Sequence, residues 1–552
     1  MAQHAADTRG TTTVEKVSWL PLIVVVLTQI QASFAVNTLT VSMAGISGDL
    51  DMPATSIGTA ITTGTFAMAA FILLGAKIGA RYGPRRVFQI AVVVHAASMA
   101  AIALSVSPAM LFVAQAASGA VIALIAPALV VFISTNYSGD QQAKAIGYLA
   151  AAIPAAGVLA LLIAGSFAST IGWRWSFVLI AVLGVANLIL SFRFKPIPPE
   201  RDLKIDIGGA LIAAAAIILL SFGFSGLTSW GAFLATENAP FDVLGISPAP
   251  ILILLGAIGG QLFFLWLRQR KAQGKAQIFD LDVLRSGAEK ATTFCMAAML
   301  FIGTAANFLI PLYIQIVQGR SSIETSLSII PYTISIFVAN SVVATFYKKF
   351  SPRVIARFGF VIVALALIII AFTIRNDWGQ FFVVLGLILL GLGQGAIVAL
   401  VFNTLLSSAP KRLAGDVGAW RGLVHNISGS VGIAVMTVFA VGMLSAFLAA
   451  GLADNQNLPL ELQAQFPLDS VNFVTNERLE EVLAATTEAN ATQLTEAIVV
   501  NELARLQALK VSLLVLAGIA LLAIIPAGRM PARMGGGDDD ERVAPEPDTV
   551  TA

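Results

Sequence analysis

Apolar and polar residues follow one another in long blocks along this chain. Runs rich in Leu, Ile, Val, Ala, Gly and Phe fall near 19–43, 54–78, 87–107, 109–133, 143–167, 175–192, 207–227, 249–267, 292–317, 325–346, 354–374, 380–406, 416–448 and 509–527. Each is close to the roughly 20 residues that a helix needs to cross a hydrocarbon layer of about 30 Å. Lipid offers backbone N–H and C=O groups no partners, and the period-two alternation of a barrel strand is missing, so the pattern predicts fourteen transmembrane helices in an all-α polytopic membrane protein. The first run, 19–43, could be mistaken for a secretion signal ending near Ala32-Ser33-Phe34-Ala35. It is too long for one, its leader is not clearly basic, and thirteen further spans follow.

Composition agrees. Hydrophobic residues make up 57% and charged residues 12% of 552, where a soluble domain carries about a quarter charged. The net charge of +2 says less than where the charges fall. With a cytoplasmic N-terminus, the inside segments hold Arg85 and Arg86, Arg193 and Lys195, Arg268 to Lys271, Lys348 and Lys349, and Lys411 and Arg412. The outside segments hold only scattered cations: Arg174, Arg320, Arg375, Arg478, Arg505 and Lys510. This bias orients a plasma (cell inner) membrane protein with both termini in the cytoplasm. The lone cysteine, Cys295, excludes an internal disulfide and a cysteine-based metal site, and no cofactor is implied.

Polar segments divide the chain. A tail, 1–18, precedes a first six-helix set, 19–192. Residues 193–206, stiffened by Pro196, Pro198 and Pro199, open a linker region, 193–291, that contains two more spans. A second six-helix set, 292–527, includes one long outside segment, 451–508. There Leu479, Leu483, Leu494, Ile498, Leu503, Leu506 and Leu509 fall near helical spacing and predict a helix or helical hairpin running into the last span. The tail 528–552, with Asp538-Asp539-Asp540, has the composition of a disordered segment.

One basic turn occurs twice. Arg81-Tyr82-Gly83-Pro84-Arg85 and Lys349-Phe350-Ser351-Pro352-Arg353 share the order basic, aromatic, small, proline, arginine, each between two spans. Short cytoplasmic turns collect such residues in many membrane proteins. Two copies in two sets of helices are also the symptom of a transporter built from repeated halves, with its substrate site between them.

The first of these turns resembles the signature loop of the major facilitator superfamily. Gly172-Trp173-Arg174-Trp175-Ser176-Phe177 is similar to an element of its fourteen-helix, QacA/EmrB-like drug:proton antiporters, and Gly415 to Ala434 matches the glycine spacing of their thirteenth helix. The resemblance implies a major facilitator fold: two six-helix bundles with a seventh and an eighth helix inserted between them. The departures concern proton chemistry. Ala35 stands where the family's first helix usually has aspartate, and Ala80 where its signature loop has an acid. Gln115 stands for an arginine, and Ala160-Leu161 and Ala164-Gly165 replace Gly-Pro and Gly-Gly.

No Asp or Glu lies inside any predicted span; Asp49, Asp51, Asp206, Glu324 and Asp416 fall at span ends. A membrane-embedded carboxylate is the usual proton carrier, because protonation removes the cost of burying its charge. Two histidines remain. His95 reads as structural, whereas Arg421, His425 and Ser428 share one helical face, and a lipid-facing Arg421 would be costly. Among uncharged groups, Gln31, Asn37, Gln115, Asn307, Gln394 and Asn403 sit on helices that line the cavity in the resembled architecture, and Asn340 lies on the tenth. Amides suit neutral or amphipathic ligands, though buried amides also join helix to helix at about 1 kcal/mol or less. With His425 they form the candidate cavity set. Gly83, Arg85, Arg86, Asp416 and Arg421 form the candidate gating set.

Gly391-Leu392-Gly393-Gln394-Gly395 looks like a dinucleotide loop but lies inside an apolar span, where small residues serve helix packing. The basic turns lack the aromatic interleaving of a nucleic-acid site, and no nucleophile–base pair suggests an enzyme. The chain therefore reads as a secondary transporter, an exporter of small amphipathic compounds working by alternating access. A proton-uncoupled facilitator of the same fold, and a non-transporting sensor or assembly protein acting through 451–508 on an extracellular or periplasmic partner, stay open at this point. Topology can be tested by single-cysteine labelling in a Cys295-free background. Position 480 should react with an impermeant reagent from outside the cell and position 200 only from inside; the reverse pattern would invert the charge argument.

Overall fold

The computed structural model describes residues 19–137, 139–194, 196–347, 349–376, 381–408, 414–455, 473, 476, 479–481 and 491–532. The tail 1–18, Lys195, Lys348, Lys411, Arg412, Arg478 and the aspartate run Asp538–Asp540 lie outside the described residues. Fourteen long helices dominate what is described: α1 Leu20–Val41, α2 Thr55–Tyr82, α3 Pro84–Ala103, α4 Pro108–Asn136, α5 Gly139–Thr170, α6 Arg174–Ser191, α7 Ile207–Gly226, α8 Pro248–Ala272, α9 Gly287–Leu312, α10 Ser322–Phe346, α11 Pro352–Thr373, α12 Phe381–Ser408, α13 Ala414–Asp454 and α14 Ala491–Ala527. Thirteen are long and apolar enough to cross a bilayer by their described residues alone. Within α5 the apolar segment Ala155–Thr170 is shorter.

Helices α1 to α6 pack into one bundle and α9 to α14 into another, while α7 and α8 pair with each other and lie against α2 and α13, beside the seam. Phe66 of α2 stacks on Phe224 of α7 at 6.2 Å. The helices alternate in direction, so the basic turns share one face of the molecule, here the basic face. The end of α1 and the start of α2 lie on the opposite face. Two helices exceed the membrane: α13 has 41 residues and α14 has 37, against about 20 for a span. Their excess projects from the opposite face and is stapled where Asn455 Nδ2 donates to Glu496 Oε2, 3.1 Å. The helix expected within 451–508 is thus continuous with the last span.

Bilayer lipid is as apolar as leucine, so close approach, more than hydrophobic burial, holds these helices together. Helices α2 and α4 cross where Gly119 meets the Gly64 carbonyl so closely that a Cβ would occupy its place, and again where Gly75 meets the Ala123 carbonyl. Overpacking against backbone costs about 1–3 kcal/mol or more, since a carbonyl cannot turn aside as a side chain can. Gly119→Val should therefore lower the melting temperature in detergent by several degrees or abolish monodisperse protein. Gly442→Ala, with open space around it, should leave melting unchanged. Equal melting of the two variants would show that the crossing is not tight.

Candidate functional site

The two basic turns do the same work in the two bundles. Gly83 has φ +96°, which only glycine adopts without strain, and Pro84 then starts α3 at its first position, where the missing N–H is no loss. One residue on, Arg85 Nη2 donates to the Phe192 carbonyl at the end of α6, 2.7 Å. In the second bundle Pro352 starts α11, and Arg353 Nε donates to the Met530 carbonyl just past α14. Each arginine thus satisfies an unpaired carbonyl at the negative end of a helix dipole. The first turn is also docked on the linker: Glu200 N donates to Ala80 O, 2.9 Å, and Arg81 Nη1 to Leu203 O, 3.3 Å. Arg86 is exposed.

Between the bundles, the contacts concentrate towards the opposite face. Gln315 at the end of α9 hydrogen-bonds to Thr40 and Ala44 beyond α1. Ile323 N on α10 donates to Ser169 Oγ on α5, 3.2 Å, and Gly165 lies hard against Ser326. A Cβ on Gly58 of α2 would fall 2.9 Å from Phe308 and 3.1 Å from Ile433. Nearer mid-membrane, Thr65 Oγ1 bonds Ser430 Oγ. Helices α5 and α10 also meet at Gly157 and Thr333. Helices α2 and α13 stay in touch further, at Ile72 and Gly422.

His425 stands beside this last contact. It is three residues after Gly422, which touches α2, and four after Arg421, whose guanidinium lies 4.3 Å from the Phe402 ring of α12. Its direction falls between those two contacts, and the residue is exposed, so it faces the gap between a first-bundle and a second-bundle helix. One turn further on that side α9 packs on α13, where Thr304 Oγ1 donates to Gly429 O, 2.9 Å. Asp416, in the first turn of α13, lies near Lys77 of α2 and accepts from the Asp280 backbone.

The amides separate into groups. Gln394 Oε1 accepts from Tyr332 Oη, 2.5 Å, and its Nε2 lies against Gly303, so α9, α10 and α12 converge there. Asn307, partly exposed, is one turn beyond Gly303 on the same face. Asn403 is exposed and donates to Tyr347 Oη, 3.3 Å, while Asn340 is partly exposed on α10. Gln31 is buried and accepts from Asn187 Nδ2, 2.8 Å, tying α1 to α6 within one bundle. Asn37 bonds the Ser33 carbonyl of its own helix, 2.8 Å, and Gln115 is buried beside the α2–α4 crossing. His95 is buried against Ser118, 3.1 Å. Sequence reasoning missed Tyr332, Lys77 and Gln315. Gln315 is a polar group near the end of an apolar run and Tyr332 one in the middle of another, a weak signal that only the fold turns into contacts.

Two six-helix bundles of repeated design, with a helix pair beside the seam, form the architecture of a membrane transporter of the rocking-bundle kind. Residues 25–281 and 250–433 match the Major Facilitator Superfamily, and the chain belongs to that superfamily; it is a secondary transmembrane transporter. Among relatives, it is 26% identical over 381 residues to the tetracenomycin C resistance and export protein of Streptomyces glaucescens, covering 68% of each chain. It is 21% identical over 433 residues to the methylenomycin A resistance protein of Bacillus subtilis, covering 78% of this chain and 90% of that one. Among solved structures, a peptide transporter in complex with sulfate superposes with TM-score 0.59 at 15% identity, over 93% of this chain and 96% of that one. A bacterial homologue of the lysosomal transporter Spinster, inward-facing and occupied, gives 0.57 at 16%, over 91% and 96%. These likenesses extend the shared fold across nearly the whole chain.

Proposed function

We propose that this protein exports small amphipathic compounds across the plasma membrane, with its basic face in the cytoplasm, and that the described conformation is open towards that face. The observation that carries this reading is where the bundles are bonded: Gln315 to Thr40 and Ala44, and Ile323 to Ser169, join them at the opposite face, while His425 and Asn403 are exposed on the basic side of Thr304 and Gly429. Gln394, Asn307, Asn340, Asn403 and His425 would offer a ligand hydrogen bonds without a fixed charge, and Arg421 would sit at the rim against Phe402. Gln31, Asn37 and Gln115 support this pocket through the bundle that carries it. Gly83, Arg85 and Arg86 would act when the basic face closes, and Asp416, already near Lys77 across the seam, would help to set how far it opens. The antibiotic export and resistance functions named for the relatives favour an outward direction.

A second reading, transport without proton coupling, is favoured by the lack of any Asp or Glu inside the spans. A proton-linked cycle then needs another group whose protonation differs between the two access states, and His425 has the right reference range. In proteoliposomes, uptake of a panel of fluorescent amphipathic dyes, with and without an imposed pH gradient, tests export and coupling together. His425→Gln should abolish any pH-driven accumulation and leave downhill flux measurable. Accumulation by that variant on a pH gradient alone would move the carrier to a span end, Asp416 first. No dye flux in either direction would defeat the transporter role proposed for the pocket.

A further inference from the structure

Helix α9 does not stop where a plain helix would. After Pro311 and Leu312 the chain passes into one π-helical turn, Tyr313–Val317, with every residue buried. Such turns are rare, frequently mark functional sites, and redirect the side chains and carbonyls they contain. Here the redirection gives Gln315 to the other bundle. Its Nε2 donates to the Thr40 carbonyl, 3.0 Å, in the last turn of α1. Its Oε1 accepts from the Ala44 N–H, 3.1 Å, in the first turn of the short helix Met43–Asp49. Both are groups that a helix end leaves without an internal partner. One amide, 2% exposed, therefore completes two helix ends that belong to the opposite half.

The π turn is itself gripped from behind. The Ile316 carbonyl accepts from Arg505 Nη1, 3.4 Å, and Arg505, in the projecting part of α14, is fully buried. A buried guanidinium persists only when it is well paired. Its Nη2 donates to Asn476 Oδ1, and Asn476 in turn donates to Glu502. Phe473, three residues before Asn476, is fully buried as well. Tyr313 Oη donates to the Arg375 carbonyl and accepts from the Arg375 N–H at 3.0 Å, tying the turn to the end of α11.

We propose that Gln315 is the latch that holds the transporter closed on the opposite face, and that Arg505 and Asn476 are positioning residues that aim it. The projecting part of α14, which carries Arg505, then acts as part of the gate. This rests on the alternating-access reading and deepens it. Opening that face requires both Gln315 bonds to break and two helix ends to be rewetted. Each bond contributes roughly a threefold bias, so losing the pair should shift the closed-to-open ratio about tenfold.

The test uses the full chain in lipid nanodiscs, where a hydrophilic maleimide reaches both faces, in a Cys295→Ser background. One reporter is Thr62→Cys, a buried site on α2 one turn below Gly58. The other is Asn403→Cys, exposed on the basic side. Gln315→Ala should raise the alkylation rate at position 62 about tenfold and lower it at position 403. That reciprocal change is one a loosened fold does not produce. Arg505→Gln should move both rates in the same directions, and adding it to Gln315→Ala should change little more, since both act through one contact. Unchanged rates, a rise at both reporters, or full additivity of the two substitutions would overturn the latch. Because alkylation needs no substrate, failure here is distinguishable from failure of dye transport.

Discussion

Hydrocarbon has no hydrogen bond to give, and the whole molecule is arranged around that constraint. Within spans it demands helix, and it leads Ser and Thr side chains to bond the carbonyl one turn back, as Thr28, Thr38 and Ser512 do. At helix ends it is sharper, because four N–H and four C=O groups per helix lack internal partners. This chain meets them with side chains from elsewhere. Arg85 serves α6, Arg353 serves the end of α14, and Gln315 serves α1 and the short helix after it. The first two lie within bundles and fix their shape. The third lies between bundles, so satisfying it also selects a conformation.

The duplicated basic turn gains a physical meaning from this. Proline at the first helical position, a residue before it able to make the turn, and arginine directly after it form a unit that starts one helix and finishes another. Each bundle needs that unit once, where its third helix packs on its sixth. Its reappearance some 270 residues later follows from building two bundles on one plan.

Much of the architecture was legible because span length is a local property: about 20 apolar residues make a crossing wherever they occur. The faces of those spans were not legible. In water a buried face is apolar and an exposed one polar, whereas in lipid both are apolar, so periodicity cannot say which way an amide points. Gln31 and Gln394 look alike in sequence. One joins two helices of a single bundle, and the other sits where three helices meet near the pocket. The overshoot of α13 and α14 was only half visible, since their projecting parts are stabilised by each other and by Arg505. The π turn left no local trace beyond Pro311, because what stabilises it is its grip on Thr40 and Ala44, about 270 residues away in sequence.

In the proposed cycle two bundles rock about the seam, closed at one face when open at the other. Spin-label distances across the seam measure this directly. One pair, at Ser169 and Ser321, reports the opposite face; the other, at Tyr148 and Phe346, reports the basic face, and all four sites are exposed. Pulsed electron paramagnetic resonance in nanodiscs, with and without a dye shown to be transported, should give two populations. In the first, 169–321 is short, as the Ser169–Ile323 bond requires, and 148–346 long; in the second the order is reversed, and the dye changes their ratio. Single, unchanging distances at both pairs would contradict the account.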